Sequence, residues 1–176
     1  VLTSRGLGDV YKRQSLCNAF LLKKKYKVHV IELSSFQLET VKSLDSRISV
    51  ITNLSGDHLD RYKSVSDYIN QKKNIISKNG INLLSIDDIY SRNIFNQKKI
   101  KNKISFSLLD KSADCFANDD YILDNYFKKG RKLFIKKISK DLEGHFNIQN
   151  ILIAYICCKI LKLPETKFFK VIKTFK

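Results

Sequence analysis

One recurrence constrains this chain more than anything else in it. Short apolar, β-branched runs at 48–53 (ISVITN), 81–86 (INLLSI) and 104–108 (ISFSL) alternate with segments of helical spacing. Runs of this length without polar alternation read as strands buried on both faces. Strand–helix alternation through about residue 108 builds an α/β fold, a mostly parallel sheet flanked by helices. Residues 28–31 (VHVI) read as a further strand of the same kind, placed first in the sheet. Short helices are expected at 15–25 and 37–44, and a longer one at 64–77 with Ser64 as its N-cap. From 115 to 138 the pattern changes to short alternating runs around Lys129-Gly130, an antiparallel hairpin that makes a small β appendage. Residues 146–163 form a long helix, apolar nearly all round and therefore buried. Pro164 opens a last helix, where its missing N–H costs nothing.

Composition narrows the function. The chain has 176 residues, enough for one domain with a real core. Its longest apolar run, 151–158, is far short of a membrane span, and no basic-then-apolar leader opens the chain, so a cytoplasmic location is expected. Cys17, Cys115, Cys157 and Cys158 lack metal-ligand spacing; the adjacent pair reads as buried, reduced thiols on an apolar helix. The net charge of +16 invites a nucleic-acid reading, but 27 of the 33 basic residues are lysine and no arginine-rich patch with interleaved aromatics appears. A solvated lysine surface explains the charge, and it also favours a polyanionic small substrate such as a nucleotide. Residues 1–14 stand apart: Asp9-Val10-Tyr11-Lys12-Arg13-Gln14 resembles the translated end of a transposon adapter, so the segment is set aside as non-native.

Four groups of residues carry chemistry. Glu32 follows the first expected strand, and ligands of open parallel sheets bind at that carboxyl edge. His58 lies 26 positions on, about one βαβ crossover, in a second strand-end loop with Asp57, Asp60 and Arg61. A carboxylate and an imidazole meeting there suit a divalent metal or a phosphate; separately, each is an ordinary surface charge. In the 64–77 helix, Lys72 falls inside the apolar stripe of Val65, Tyr68, Ile69, Ile75 and Ile76. Such a lysine either snorkels along the stripe or is aimed at a site. Asn147 and Asn150, three apart at the start of the long helix, share a face and suit adenine, or one of them caps the helix.

These same residues resemble the Mur ligases, and among them the branch that adds D-glutamate. The run Glu32-Leu33-Ser34-Ser35-Phe36-Gln37-Leu38-Glu39 is similar to that branch's signature. Its Ser-Ser-Phe-Gln-Leu portion differs from the counterparts that add L-alanine, diaminopimelate, lysine or the dipeptide, and from folylpolyglutamate synthase. The run 53–61, Tyr68-x-x-x-Lys72-x-x-Ile75 and Gly144-x-x-Asn147-x-x-Asn150 resemble the family's next three motifs, in order. The resemblance implies an ATP-dependent ligase that converts the carboxylate of UDP-N-acetylmuramoyl-L-alanine to an acyl phosphate, which D-glutamate then attacks. It implies two Mg²⁺ ions held by Glu32 and His58, a carbamylated Lys72 as a further metal-binding and catalytic group, and adenine contacts from Asn147 and Asn150. Ser34 and Gln37 fall on the muramoyl side. A monomer is expected, with another Mur ligase or a folylpolyglutamate synthase-like ligase as the alternative and a basic nucleic-acid-binding module as a remote one.

There are departures from the pattern. The phosphate-binding loop Gly-x-x-Gly-x-Asn-Gly-Lys-Thr/Ser occurs nowhere in the 176 residues, and an Asn-Ile-Gly motif is missing near 13–15. Phe146 takes a slot where the family has histidine. The expectation is therefore a central ATP-binding domain over 15–176, truncated at both ends, without its N-terminal UDP-binding and C-terminal domains and inactive alone.

Overall fold

A computed structural model describes residues 27–41, 43–56, 62–135, 138–142 and 144–175. The chain divides into two compact units, residues 1–41 and 42–176.

In the first unit the described elements are an extended segment and one helix, α1 (Ser35–Thr40). The helix starts at Ser34 through a capping box: the Ser34 hydroxyl accepts the Gln37 N–H at 3.3 Å, and Gln37 Oε1 accepts the Ser34 N–H at 2.8 Å. The start expected at residue 37 therefore comes two residues early, because the serine supplies the cap. The expected strand at 28–31 is a correction. It is irregular, and Val28, Val30 and Ile31 are 40%, 55% and 44% exposed. β-branched residues favour a strand only where a neighbour completes the ladder, and none pairs with this run among the described residues. The expected helix at 15–25 lies outside the described residues.

The second unit is a six-stranded sheet in simple sequence order. Strands β1 (Ile48–Ile51), β2 (Ile81–Ser85), β3 (Lys103–Ser107) and β4 (Cys115–Ala117) run parallel. Strands β5 (Tyr121–Asp124) and β6 (Arg131–Phe134) add the antiparallel appendage around Gly130. Only residues 108–114 join β3 to parallel β4, far fewer than a helical crossover needs. The short return works because pairing covers only Phe106 and Ser107 of β3, and because Asp114 braces Ser105 through its N–H at 2.8 Å and its hydroxyl at 2.9 Å.

Helices α2 (Val65–Lys72) and α3 (Ile89–Phe95) contribute Tyr68 and Ile94 to one apolar cluster, with Ile51, Leu54 and Leu84. Helices α4 (His145–Ile160) and α5 (Glu165–Thr174) cover a larger one, where Leu83, Ile104, Phe106, Leu152, Tyr155 and Ile156 are fully buried. The adjacent residues Leu83 and Leu84 thus go to opposite faces, as a strand covered on both sides requires. Each such side chain adds roughly 1.5–3 kcal/mol relative to exposure. Ser64 caps α2 as expected, accepting the Asp67 N–H at 3.1 Å, but the helix gives way to a 3-10 turn at Lys73–Ile75. Cys115 is buried; Cys157 and Cys158 are only partly so, correcting the buried-pair expectation. Burial still pushes the Cys157 thiol up to about 11, with its neighbour Cys158 adding to the shift. No described helix is long and apolar enough to cross a membrane.

Candidate functional site

Parallel strands bring their carboxyl ends to one edge, and three loops of the second unit leave it there. The loop after β1 begins Thr52-Asn53-Leu54; that after β2 carries Asp87 and Asp88; that after β3 begins at Leu108. Asp88 is the N-cap of α3: one oxygen accepts the Ser91 N–H at 2.8 Å, and the other reaches across to the Leu54 N–H at 3.2 Å. Asp87 accepts the Leu108 N–H at 2.9 Å and the Ser107 hydroxyl. Both carboxylates therefore tie neighbouring loops together.

The amino end of α4 meets the same edge. Gln149 Nε2 donates to the Thr52 carbonyl at 3.3 Å, which joins the first turns of α4 to the exit of β1. Gly144 precedes the helix with φ 111° and ψ 152°, a conformation that side chains other than glycine's strongly resist. Asn147, half-buried, donates Nδ2 to the Asp141 carbonyl at 3.5 Å, and Asn150 is exposed. Neither forms the side-chain cap of α4, which has none. Phe146 is 80% exposed at this end.

Lys72 closes α2, one turn beyond the buried Tyr68. It is half-buried, with Nζ 5.9 Å from the Tyr68 ring centroid. In the first unit, Glu32 is exposed just before α1, while Ser34 and Gln37 serve the capping box. His58, with Asp57, Asp60 and Arg61, lies outside the described residues. Among the described residues no three His, Cys, Asp or Glu side chains cluster as a metal cage. A cleft of about 420 Å³ lies at the opposite, amino edge, lined by Asp45, Arg47, Asn79 and Gly80 among others. It is away from the strand-end loops where ligands of such sheets bind.

Sequence reasoning missed two polar assemblies that set this geometry. Asp124, fully buried at the end of β5, accepts the Tyr155 hydroxyl of α4 at 2.7 Å and three backbone N–H groups. Burial, followed by that hydrogen bond to Asp124, drives the Tyr155 hydroxyl far above its usual range. Arg131 of β6 makes a two-pronged bond to Glu165 of α5, at 2.6 and 2.8 Å, and Lys159 of α4 joins at 3.1 Å. The Arg131 bond holds the Glu165 carboxyl below its ordinary value. Both assemblies fix α4, and with it Asn147 and Asn150, to the appendage. The only signal in the sequence was Asp124 interrupting an apolar strand.

An open, mostly parallel sheet with polar loops gathered at its carboxyl edge and the amino end of a helix beside them defines an α/β domain of the kind that takes its ligands at that edge. The chain belongs to the Mur ligase family: the Mur ligase middle domain matches residues 10–158. Among its relatives is a UDP-N-acetylmuramoylalanine–D-glutamate ligase of Rickettsia prowazekii, 32% identical over 183 aligned residues, covering 100% of this chain and 40% of that protein. A ligase of the same name from Buchnera aphidicola is 38% identical over 162 residues, covering 88% of this chain and 34% of that one. The chain thus spans well under half the length of these relatives. The fold is shared with a UDP-N-acetylmuramoyl-L-alanyl-D-glutamate–2,6-diaminopimelate ligase, with TM-score 0.67 and 21% identity over 83% of this chain and 32% of that one. It is also shared with a pseudomurein peptide ligase type C from Methanothermus fervidus, with TM-score 0.56 and 17% identity over 75% of this chain and 34% of that one.

Proposed function

We propose that this chain is the ATP-binding middle domain of a ligase that joins D-glutamate to UDP-N-acetylmuramoyl-L-alanine through an acyl phosphate, releasing ADP and phosphate. The observation that carries the proposal is the alignment to D-glutamate ligases from several bacteria at 32–38% identity. In this reading Asn147 and Asn150 hold adenine at the amino end of α4. Glu32 and His58 are the groups that would hold Mg²⁺, and Lys72, carbamylated, would add a carboxylate on a long arm. Bound there, Mg²⁺ offsets the repulsion among the phosphates and the incoming carboxylate. Cytoplasmic action as a monomer completes the proposal.

The test is ADP release by the complete ligase that carries this domain, given UDP-N-acetylmuramoyl-L-alanine, Mg·ATP and a panel of amino acids. D-Glutamate is expected to give the highest kcat/KM. A preference for L-alanine, diaminopimelate or lysine would move the chain to another branch. Lys72→Ala is expected to lower turnover about 1,000-fold, in the range for groups that stabilise transition-state charge. A ¹³C carbamate resonance, present in wild type and absent in that variant, would assign the modification; normal turnover by Lys72→Ala would remove it.

A further inference from the structure

Asn53 is held in an unusual way. Two peptide planes meet at its Cα, and each is fixed by a distant side chain. Gln149 of α4 binds the Thr52 carbonyl on one side at 3.3 Å. Asp88, at the start of α3, binds the Leu54 N–H on the other at 3.2 Å. The Leu54 side chain is only 4% exposed, which anchors the loop in the core. With both planes held, the φ and ψ of Asn53 are set from outside its own loop. Fixing one residue's backbone costs roughly 1–2 kcal/mol of entropy, so such immobility needs a source and a use.

The side chain of Asn53 is nevertheless exposed at the carboxyl edge. An asparagine at a strand end often bonds its own following backbone and shapes a turn. Here Oδ1 accepts instead from the Thr52 hydroxyl at 3.2 Å. Among the described residues Nδ2 has no partner, so the amide has an oriented acceptor and an uncommitted donor. No local turn explains it.

We propose that Asn53 contacts the ligand, donating Nδ2–H to an anionic oxygen of the reacting groups, and that Gln149 and Asp88 are its positioning residues. The proposal rests on the ligase reading above. A neutral donor fixed before the ligand arrives stabilises developing negative charge without reorganising. The oxygen belongs to the nucleotide's phosphates or to the substrate carboxylate, which becomes an acyl phosphate. The same clamp ties the loop leading toward His58 to the helix that carries Asn147 and Asn150.

Steady-state kinetics of the complete ligase test this. Wild-type turnover with D-glutamate tests the reading itself, and the ratio of variant to wild type, measured with the best amino acid, tests the inference. Asn53→Ala is expected to lower kcat about 100-fold, the usual loss for one donor to an oxyanion. Asn53→Asp keeps the Oδ1 acceptor, lacks the donor, and is expected to lose as much while melting at the wild-type temperature. Gln149→Met and Asp88→Ser, the latter keeping a cap for α3, are each expected to lose about tenfold. Added to Asn53→Ala, either should cause little further loss, because a positioning residue has nothing left to position. A KM rise for Mg·ATP assigns the partner to phosphate, and a rise for the muramoyl substrate assigns it to the carboxylate. Asn53→Asp within threefold of wild type would overturn the proposal. So would clamp losses that multiply in full on the alanine background.

Discussion

The buried pair between Asp124 and Tyr155 allows a stability prediction worked from geometry. The carboxylate is 0% exposed and accepts four hydrogen bonds: the Tyr155 hydroxyl at 2.7 Å and the N–H groups of Tyr126, Phe127 and Lys128 at 3.1, 2.7 and 3.3 Å. Tyr155→Phe removes one charge-assisted bond and leaves three, at a cost of about 2 kcal/mol. Asp124→Ala removes all four. Tyr126 and Lys128 are exposed, so their N–H groups turn to water, whereas the fully buried Tyr155 hydroxyl is stranded. That variant is expected to lose about 4 kcal/mol. In the double variant the phenylalanine removes the stranded hydroxyl, so its cost should fall to about 2–3 kcal/mol, where simple addition gives about 6. Against a total of roughly 5–15 kcal/mol, the losses call for urea titrations in sucrose, followed by far-UV circular dichroism and extrapolated at constant m. Additivity within about 0.5 kcal/mol would show that the two groups do not act as a pair.

Two further perturbations probe the packing of the second unit. A Cβ on Gly80 would lie 2.0 Å from the Ser46 carbonyl oxygen and 2.8 Å from that of Arg47, backbone atoms that cannot yield cheaply where the β1–β2 ladder begins. Gly80→Ala is therefore expected to cost about 3 kcal/mol in the same assay. On the alkaline side, burial pushes the Cys157 thiol up to about 11, and Cys115 and Tyr155 are also raised, chiefly by burial. The unfolded chain releases these protons first. Stability should accordingly be full below about pH 9 and fall above it, by up to roughly 1.4 kcal/mol per pH unit for each such group. A flat profile from pH 9 to 11 would contradict the burial of these groups.

The sheet was legible because its strands are β-branched and buried on both faces. The reading overshot their carboxyl ends at 52–53 and 108, where the backbone leaves the ladder to bond Gln149 and Asp87, and at 86, whose N–H still donates to the Phe106 carbonyl of β3. It failed at 28–31 because propensity specifies a strand only when a neighbour is available. It missed α3, whose seven residues are too few to show a helical period and whose start is marked only by Asp88. The half-burial of Lys72 beside Tyr68 was legible from the wheel. The clamp on Asn53 was not, because it joins residues 97 and 34 apart in sequence, and only the folded sheet brings them together.

A crystal structure of the complete ligase with Mg²⁺ and a non-hydrolysable ATP analogue tests the central claim most directly. The adenine should lie against Asn147 and Asn150, with Glu32, His58 and Lys72 gathered around the phosphates at the carboxyl edge. A nucleotide seated at the amino edge, beside Asp45 and Arg47, would contradict it.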